Sequence, residues 1–199
     1  LFARAAAMGG ACGIRAREAE NIRAIRAAVE LPIIGITKSA FVDGTVLITG
    51  DFDDVQAVVD AGADIVAADA TQRIRPNGLS GEQFIAEMKR RWDMPVMADV
   101  STLEEGLAAE GAGADLIGTT LTGYTPYTAG RYREDAPDWE LLDALAQQTR
   151  VPVIAEGRIW TPDQARKALE LGAFAVVVGT AITRPRVVTR RFVDAVQEP

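Results

Sequence analysis

Apolar residues along this chain fall in short bursts, separated by longer amphipathic stretches, and the two kinds alternate from one end to the other. Some bursts are led by proline: Leu31-Pro32-Ile33-Ile34, Met94-Pro95-Val96-Met97 and Val151-Pro152-Val153-Ile154. Others follow an amphipathic stretch and open on glycine and alanine: Gly62-Ala63-Asp64-Ile65-Val66, Gly113-Ala114-Asp115-Leu116-Ile117 and Gly172-Ala173-Phe174-Ala175-Val176. Glycine closes a helix in a left-handed cap, and a short continuous apolar run after it suits a strand covered on both faces. Repetition of that unit predicts an alternating β/α chain around one parallel sheet. The predicted strands are residues 11–15, 32–37, 64–69, 95–100, 115–121, 152–155 and 174–178. The predicted helices are 16–29, 53–61, 80–91, 102–111, 139–148, 162–171 and 185–196.

Residues 1–8 read as the tail of another helix. A helix feeding the first visible strand implies a strand before it, which brings the expected total to eight. The expected architecture is a (β/α)8 TIM barrel of the phosphate-binding type, one domain over 1–199 that is N-terminally incomplete, with its first strand ahead of Leu1. An open doubly wound sheet is the alternative, but its G-x-G-x-x-G turn after the first strand does not occur.

The stretch 151–184 shows how such a unit carries chemistry. Val153-Ile154-Ala155 ends abruptly in Glu156-Gly157-Arg158. Thr161 and Pro162 suit the N-cap and first turn of the next helix, and the following strand ends in Gly179-Thr180. Sites on these folds form at the carboxyl ends of the strands, so the two turns should share one face.

Side chains alternate along a strand, and one parity faces the barrel interior. Arg15, Lys38, Asp69, Asp99 and Glu156 each lie at, or within one residue of, the end of a predicted strand, and each has an apolar or glycine neighbour of matching parity two residues earlier. Strand ends border water and often carry charge, so one such residue decides little. A closed barrel gathers all of them into one pocket. Loops after the last two strands of such barrels often hold phosphate on backbone N–H groups, which makes Gly157, Gly179 and Thr180 candidates, with Arg158 and Arg184 to add charge.

Composition narrows the chemistry. The net charge of −7 argues against a nucleic-acid partner, so an anionic ligand needs a locally basic pocket. No apolar run reaches the ~20 residues that span a membrane. Cys12 is the only cysteine, which leaves no intramolecular disulfide and no cysteine-rich zinc site. Histidine is absent altogether, so acid–base work falls to lysine, carboxylates, tyrosine or Cys12.

The runs Ile33-Ile34-Gly35-Ile36-Thr37-Lys38, Asp69-Ala70-Thr71, Ala98-Asp99-Val100-Ser101-Thr102, Ile117-Gly118-Thr119-Thr120-Leu121-Thr122-Gly123-Tyr124-Thr125, Ile154-Ala155-Glu156-Gly157-Arg158 and Val178-Gly179-Thr180-Ala181-Ile182-Thr183-Arg184 occur together and in order. Together they resemble the N-acetylmannosamine-6-phosphate 2-epimerase family of bacterial sialic acid catabolism, over almost the whole chain. Family members begin with a strand and a Cys-Gln pair near the substrate, both of which would lie before Leu1.

The resemblance implies an isomerase that interconverts N-acetylmannosamine 6-phosphate and N-acetylglucosamine 6-phosphate by inversion at C2. It implies no metal and no organic cofactor. It casts Lys38 and Glu156 as the acid–base pair, with Arg15 and Asp99 lining the substrate site, to which strand-end parity adds Asp69. Arg158 and Arg184, with Gly157 and the Gly179-Thr180 backbone, become the phosphate site. The expected partner is a small-molecule amino sugar phosphate, with no nucleic acid and no membrane; a homodimer is the assembly to test and the cytoplasm the expected location. The rival readings are another phosphate-binding barrel enzyme, a sugar-phosphate epimerase or lyase, and a non-catalytic sugar-phosphate binding protein. A ribulose-phosphate epimerase type resembles a metal site built with histidines, which this chain lacks.

Overall fold

The computed structural model describes residues 1–41 and 45–197. Helix α1 (Phe2–Met8) leads into β1 (Ile14–Arg17), α2 (Ala19–Arg26) and β2 (Ile33–Ile36). A hairpin of β3 (Lys38–Ala40) and β4 (Val46–Ile48) follows, then α3 (Phe52–Asp60), β5 (Ile65–Asp69), α4 (Gly81–Arg91), β6 (Val96–Asp99), α5 (Leu103–Gly111) and β7 (Leu116–Gly118). After a 3-10 turn at Ala129–Arg131 come α6 (Trp139–Gln148), β8 (Val153–Glu156), α7 (Pro162–Glu170), β9 (Ala175–Val177), α8 (Thr180–Thr183) and α9 (Pro185–Gln197).

Seven strands form one sheet in the order β1-β2-β5-β6-β7-β8-β9, and every neighbouring pair is parallel. This is the nearly closed sheet of a (β/α)8 barrel with helices around it. Among the described residues β1 and β9 do not pair with each other. All seven strands expected from the apolar bursts are present, but some bounds differ. The first strand begins at Ile14 rather than residue 11, so Arg15 lies inside it, and residues 16 and 17 extend the strand where a helix was expected. Lys38 does not end a barrel strand. It opens a hairpin that the burst pattern did not reveal.

The helices start where their caps dictate. Ser80, Thr102 and Thr161 each form a capping box with Gln83, Glu105 and Gln164, which satisfies two otherwise orphaned N–H groups at a helix start. Gly62, Gly113 and Gly172 hold φ of 88°, 96° and 98°, the left-handed turn expected after each helix.

Strand parity divides the core in two. One face packs on the helices through Ile33, Val66, Ala68, Val96, Ala98, Ile117, Val153 and Ala155, against Ile22, Val58, Phe84, Leu142 and Leu145. The other face fills the barrel with Ile36, Ala67, Met97 and Ile154, joined by Ile48 of the hairpin and by Leu121. Each fully buried aliphatic or aromatic side chain contributes on the order of 1.5–3 kcal/mol. At the carboxyl ends of the strands the interior set changes from apolar to charged. There Gly118 faces inward: a Cβ on it would come 2.3 Å from Met97 Cε and 2.9 Å from Asp99 Oδ1.

Candidate active site

Arg15, on β1, reaches across the barrel. Its Nη1 and Nη2 donate to Asp99 Oδ1 and Oδ2 at 3.1 and 2.5 Å, a bidentate fork in which the Asp99 side chain is fully buried and that of Arg15 is 6% exposed. Nη1 also lies 3.0 Å from Glu156 Oε2, at the end of β8. That N–H is not aligned on the glutamate, so buried Oε2 accepts no hydrogen bond from any described residue. The Thr120 hydroxyl donates to Asp99 Oδ1 at 2.6 Å. The Thr119 hydroxyl locks the Glu156 backbone, accepting its N–H and donating to its carbonyl, both at 3.0 Å.

The cluster sets its own protonation. Burial pushes the Glu156 carboxyl up to about 7; Arg15 opposes this, and the neighbouring Asp99 charge reinforces it. Burial also works against the Arg15 charge, but Asp99 and Glu156 outweigh it and hold the guanidinium firmly protonated. Lys38 stands on the hairpin, exposed and close enough for its charge to draw the Glu156 carboxyl back down. Among the described residues its amine makes no ion pair or side-chain hydrogen bond. A Lys38–Glu156 ion pair, the plain structural alternative for two such residues, is therefore not what the mouth contains.

Asp69 is the register partner of Asp99 on the next strand, but its carboxylate is occupied by its own loop. Thr71 donates to Oδ1 from its N–H at 3.0 Å and its hydroxyl at 2.6 Å, and Arg73 pairs with Oδ2. Burial raises its pKa against those partners. Beneath the same loop Arg75, 2% exposed, donates to the Asp69 carbonyl and lies 4.0 Å over the Phe84 ring. Asp69 thus braces the loop that follows β5.

On the side expected to hold phosphate, the turns after β8 and β9 are neighbours, because Glu156 registers with Val177. Gly157 holds φ of 110° and Arg158 one of 57°. The Arg158 guanidinium is committed to the loop after β7: Nε donates to the Ala136 carbonyl at 3.2 Å, Nη1 to the Thr122 carbonyl at 3.0 Å, and the Tyr124 and Tyr132 rings flank it. Gly179 caps α8, Thr180 opens it, and exposed Arg184 closes it.

The structure therefore brings Arg15, Asp99 and Glu156 into direct contact, with Lys38 in the same field. Asp69 is turned to its own loop, and Arg158 to the loop after β7. Thr119 and Thr120 were not singled out by residue type. The inward parity of Thr120, two residues after Gly118, was the signal that could have found it. A fixed cation between two carboxylates, one of them half-protonated near neutrality, with a lysine amine nearby, suits proton transfer at a carbon next to a carbonyl.

Over residues 1–198 the chain matches the model of the NanE family, described as "Putative N-acetylmannosamine-6-phosphate epimerase". A relative from Caldanaerobacter subterraneus, named "Putative N-acetylmannosamine-6-phosphate 2-epimerase", is 51% identical over 99% of this chain and 82% of its own length. One of the same name from Cutibacterium acnes is 47% identical over 98% and 84%. Among solved structures, the N-acetylmannosamine-6-phosphate 2-epimerase from Clostridium perfringens superposes with a TM-score of 0.90 at 43% identity, covering 98% of this chain and 83% of that one. A thiamine phosphate pyrophosphorylase from Pyrococcus furiosus, at 22% identity over 98% and 89%, shares the fold with a TM-score of 0.60.

Proposed function

The chain belongs to the NanE family, whose members interconvert N-acetylmannosamine 6-phosphate and N-acetylglucosamine 6-phosphate, and we propose that it does so by carrying the C2 proton between Lys38 on one face of the sugar and Glu156 on the other. The observation that carries this reading is Glu156 itself: a carboxyl pushed up to about 7, in the field of Lys38, with an oxygen that, among the described residues, accepts no hydrogen bond. A group that titrates near the working pH can both take and give a proton.

In the open-chain sugar C1 is an aldehyde, which acidifies the C2–H. One group removes that proton, and the electron pair moves onto the C1 oxygen as an enolate. The pair then returns to C2 and takes a proton from the group on the opposite face, which inverts the centre. Arg15 stands between the two carboxylates, where its positive charge stabilises the developing oxyanion, a contribution usually worth about 2.7–4 kcal/mol per donor. Asp99 orients Arg15 and holds Glu156 up.

Gly157, the Gly179-Thr180 backbone and Arg184 form the phosphate site in this reading. Arg158 shapes it by fastening the loop after β7, and Asp69 by bracing the loop after β5. Side chains supply every proton and charge the inversion requires, so the reaction needs no metal and no organic cofactor. No described helix is long and apolar enough to cross a membrane. The net charge of −7 supports a small anionic substrate over nucleic acid, and the cytoplasm is where such a sugar phosphate would be met. Assembly as a homodimer belongs to this proposal and is tested by solution mass.

Turnover in deuterium oxide tests the chemistry: epimerised product should carry deuterium at C2. Glu156→Gln and Lys38→Met should each lower kcat by about a hundred- to ten-thousandfold. Either variant can still exchange the C2 proton of one epimer, because one remaining base can remove and replace it on the same face. Near-normal turnover in either variant would remove that residue from the mechanism.

A further inference from the structure

Thr49 follows β4 and is fully buried, with φ of 48°. A left-handed backbone is uncommon for any residue but glycine, and for a β-branched side chain it is a true outlier that surrounding structure must impose. Strain of this kind collects at functional sites.

The hydrogen bonds at Thr49 show what imposes it. Its hydroxyl accepts the Thr37 N–H at 3.3 Å and donates to the Ala67 carbonyl at 2.7 Å. Its own N–H donates to the Thr37 carbonyl at 3.2 Å. Both backbone groups of Thr37 are thereby taken by one residue.

The position of that hydroxyl is informative. Strands β2 and β5 pair as Ile34↔Ile65 and Gly35↔Val66, and the ladder stops there. Continued by one step, Ile36 would face Ala67. In a parallel ladder the Thr37 N–H would then bond directly to the Ala67 carbonyl, just as Val66 N–H bonds to the Pro95 carbonyl beside Val96. The Thr49 hydroxyl stands between those two groups. It satisfies both buried partners while prising β2 away from β5 at Thr37. The next residue is Lys38, which leaves the barrel wall and pairs instead with Ile48, the neighbour of Thr49. Ile48 packs into the barrel interior and seats the hairpin there. The outer end is fastened as well: the Gly50 N–H donates to Ser39 Oγ and to Asp54 Oδ2, both at 3.1 Å.

We infer that Thr49 is a positioning residue for Lys38: its hydroxyl, inserted between β2 and β5, sets the bend at Thr37 that carries the lysine amine from the barrel wall into the mouth. This rests on the reading of Lys38 as one of the two proton-transfer groups. Without the wedge the ladder can close by one more bond. Lys38 would then continue the line of β2, and its amine would shift relative to Glu156.

Three variants at this position separate the parts. Thr49→Val keeps the shape and removes the hydroxyl. Thr49→Gly removes the hydroxyl and takes the left-handed backbone without steric cost, so it carries the test if the valine variant does not fold. Thr49→Ser keeps the hydroxyl. A misplacement of about 1 Å can lower a rate by about a hundredfold, so kcat in the valine and glycine variants should fall by about ten- to a hundredfold. KM should stay close to its original value, and serine should restore kcat.

A second readout does not depend on turnover. The lysines of the chain are Lys38, Lys89 and Lys167, so carbon-13 reductive methylation gives few NMR signals, and loss of one in Lys38→Met assigns Lys38. In the valine and glycine variants the Lys38 signal should move while those of Lys89 and Lys167 stay. Normal kcat with an unmoved Lys38 signal, even at a lowered Tm, would reduce Thr49 to a stability role and overturn the inference. A serine variant as slow as valine would overturn the role of the hydroxyl. Full turnover in Lys38→Met would instead defeat the mechanistic reading, and the Lys38 signal would still report whether Thr49 places it.

Discussion

Asp69 and Asp99 end neighbouring strands as register partners, are both fully buried, and both meet a guanidinium, yet they belong to different kinds of structure. Asp69 is served by its own loop: Thr71 two residues on and Arg73 four residues on. Asp99 is served by Arg15, 84 residues earlier, and by Thr120, 21 residues later. The first arrangement closes within one connection and stiffens it. The second exists only when the barrel brings distant strand ends together, and it leaves Arg15 able to touch a second carboxylate. Buried charge alone does not single out the proposed site; what sets Asp99 apart from Asp69 is partners drawn from across the fold.

If that distinction holds, Asp99→Asn should lower kcat by about a hundred- to a thousandfold while the protein stays folded, as expected when charge alignment at a developing oxyanion is lost. Asp69→Asn should do the reverse. Breaking a buried pair from one side costs about 3–5 kcal/mol, so Tm should drop while kcat of the folded fraction stays near the parent value. Thermal melts beside single-turnover rates check both, and a catalytic loss in Asp69→Asn equal to that in Asp99→Asn would erase the difference.

The two arginines of the proposed phosphate site offer a similar contrast. Arg158 is held by two loop carbonyls and two rings, whereas Arg184 is exposed at the end of α8. Losing a charge-assisted contact of about 1.5–3 kcal/mol corresponds to about ten- to a hundredfold in affinity. Arg184→Ala should therefore weaken binding of the phosphorylated sugar by that factor and leave the free sugar almost unaffected. Equal losses for both would place the phosphate elsewhere.

Smaller but sharper is the pH signature. The folded-state pKa of Glu156 is raised from 4.5 to about 7, so folding favours its protonated form. Its contribution to stability is then fully present below about 4.5 and is lost as pH rises through about 7. Glu156→Gln should melt several degrees higher than the parent above pH 7, and the two should converge in acid. In the direction in which Glu156 removes the proton, activity should run the other way, with kcat/KM falling as pH drops below about 7 and the carboxylate is lost. Because Asp99 helps raise Glu156, Asp99→Asn should move that acid limb downward and Asp69→Asn should leave it in place. The smallest expected effect is none at all: exhaustive chelation should not alter turnover, since a hard cation would have to displace Arg15 from Asp99 or Arg73 from Asp69. Loss in chelator restored by magnesium would refute this.

Much of this arrangement was legible in the chain. Alternation of apolar bursts with amphipathic stretches specified the parallel barrel, and parity gathered Arg15, Lys38, Asp99 and Glu156 at one end, because the period of a strand is a local property. What the pattern did not reveal depends on distant contact. Asp69 looked equivalent to Asp99 because both end an apolar run, and only tertiary packing decides which guanidinium each receives. Arg158 read as a phosphate ligand from its turn, and its bonds to the loop after β7 could not be read there. The hairpin behind Lys38 had a local sign, Asp43-Gly44 between apolar stretches, a dipeptide outside the described residues. Nothing in the letters marks Thr49, since threonine is a poor choice for a left-handed backbone and only the stopped ladder explains it.

Gly118 contributes by subtraction. In the interior layer where Asp99 meets Arg15, an added methyl would fall 2.3 Å from Met97 Cε, 2.9 Å from Asp99 Oδ1 and 3.0 Å from Thr120 Oγ1. The carboxylate can sink to that depth, below its neighbours and away from water, because one strand contributes backbone alone at that level. The floor under the Arg15–Asp99 fork is thus set by an atom that the chain omits, and the tightness of the fork is the mould of that omission.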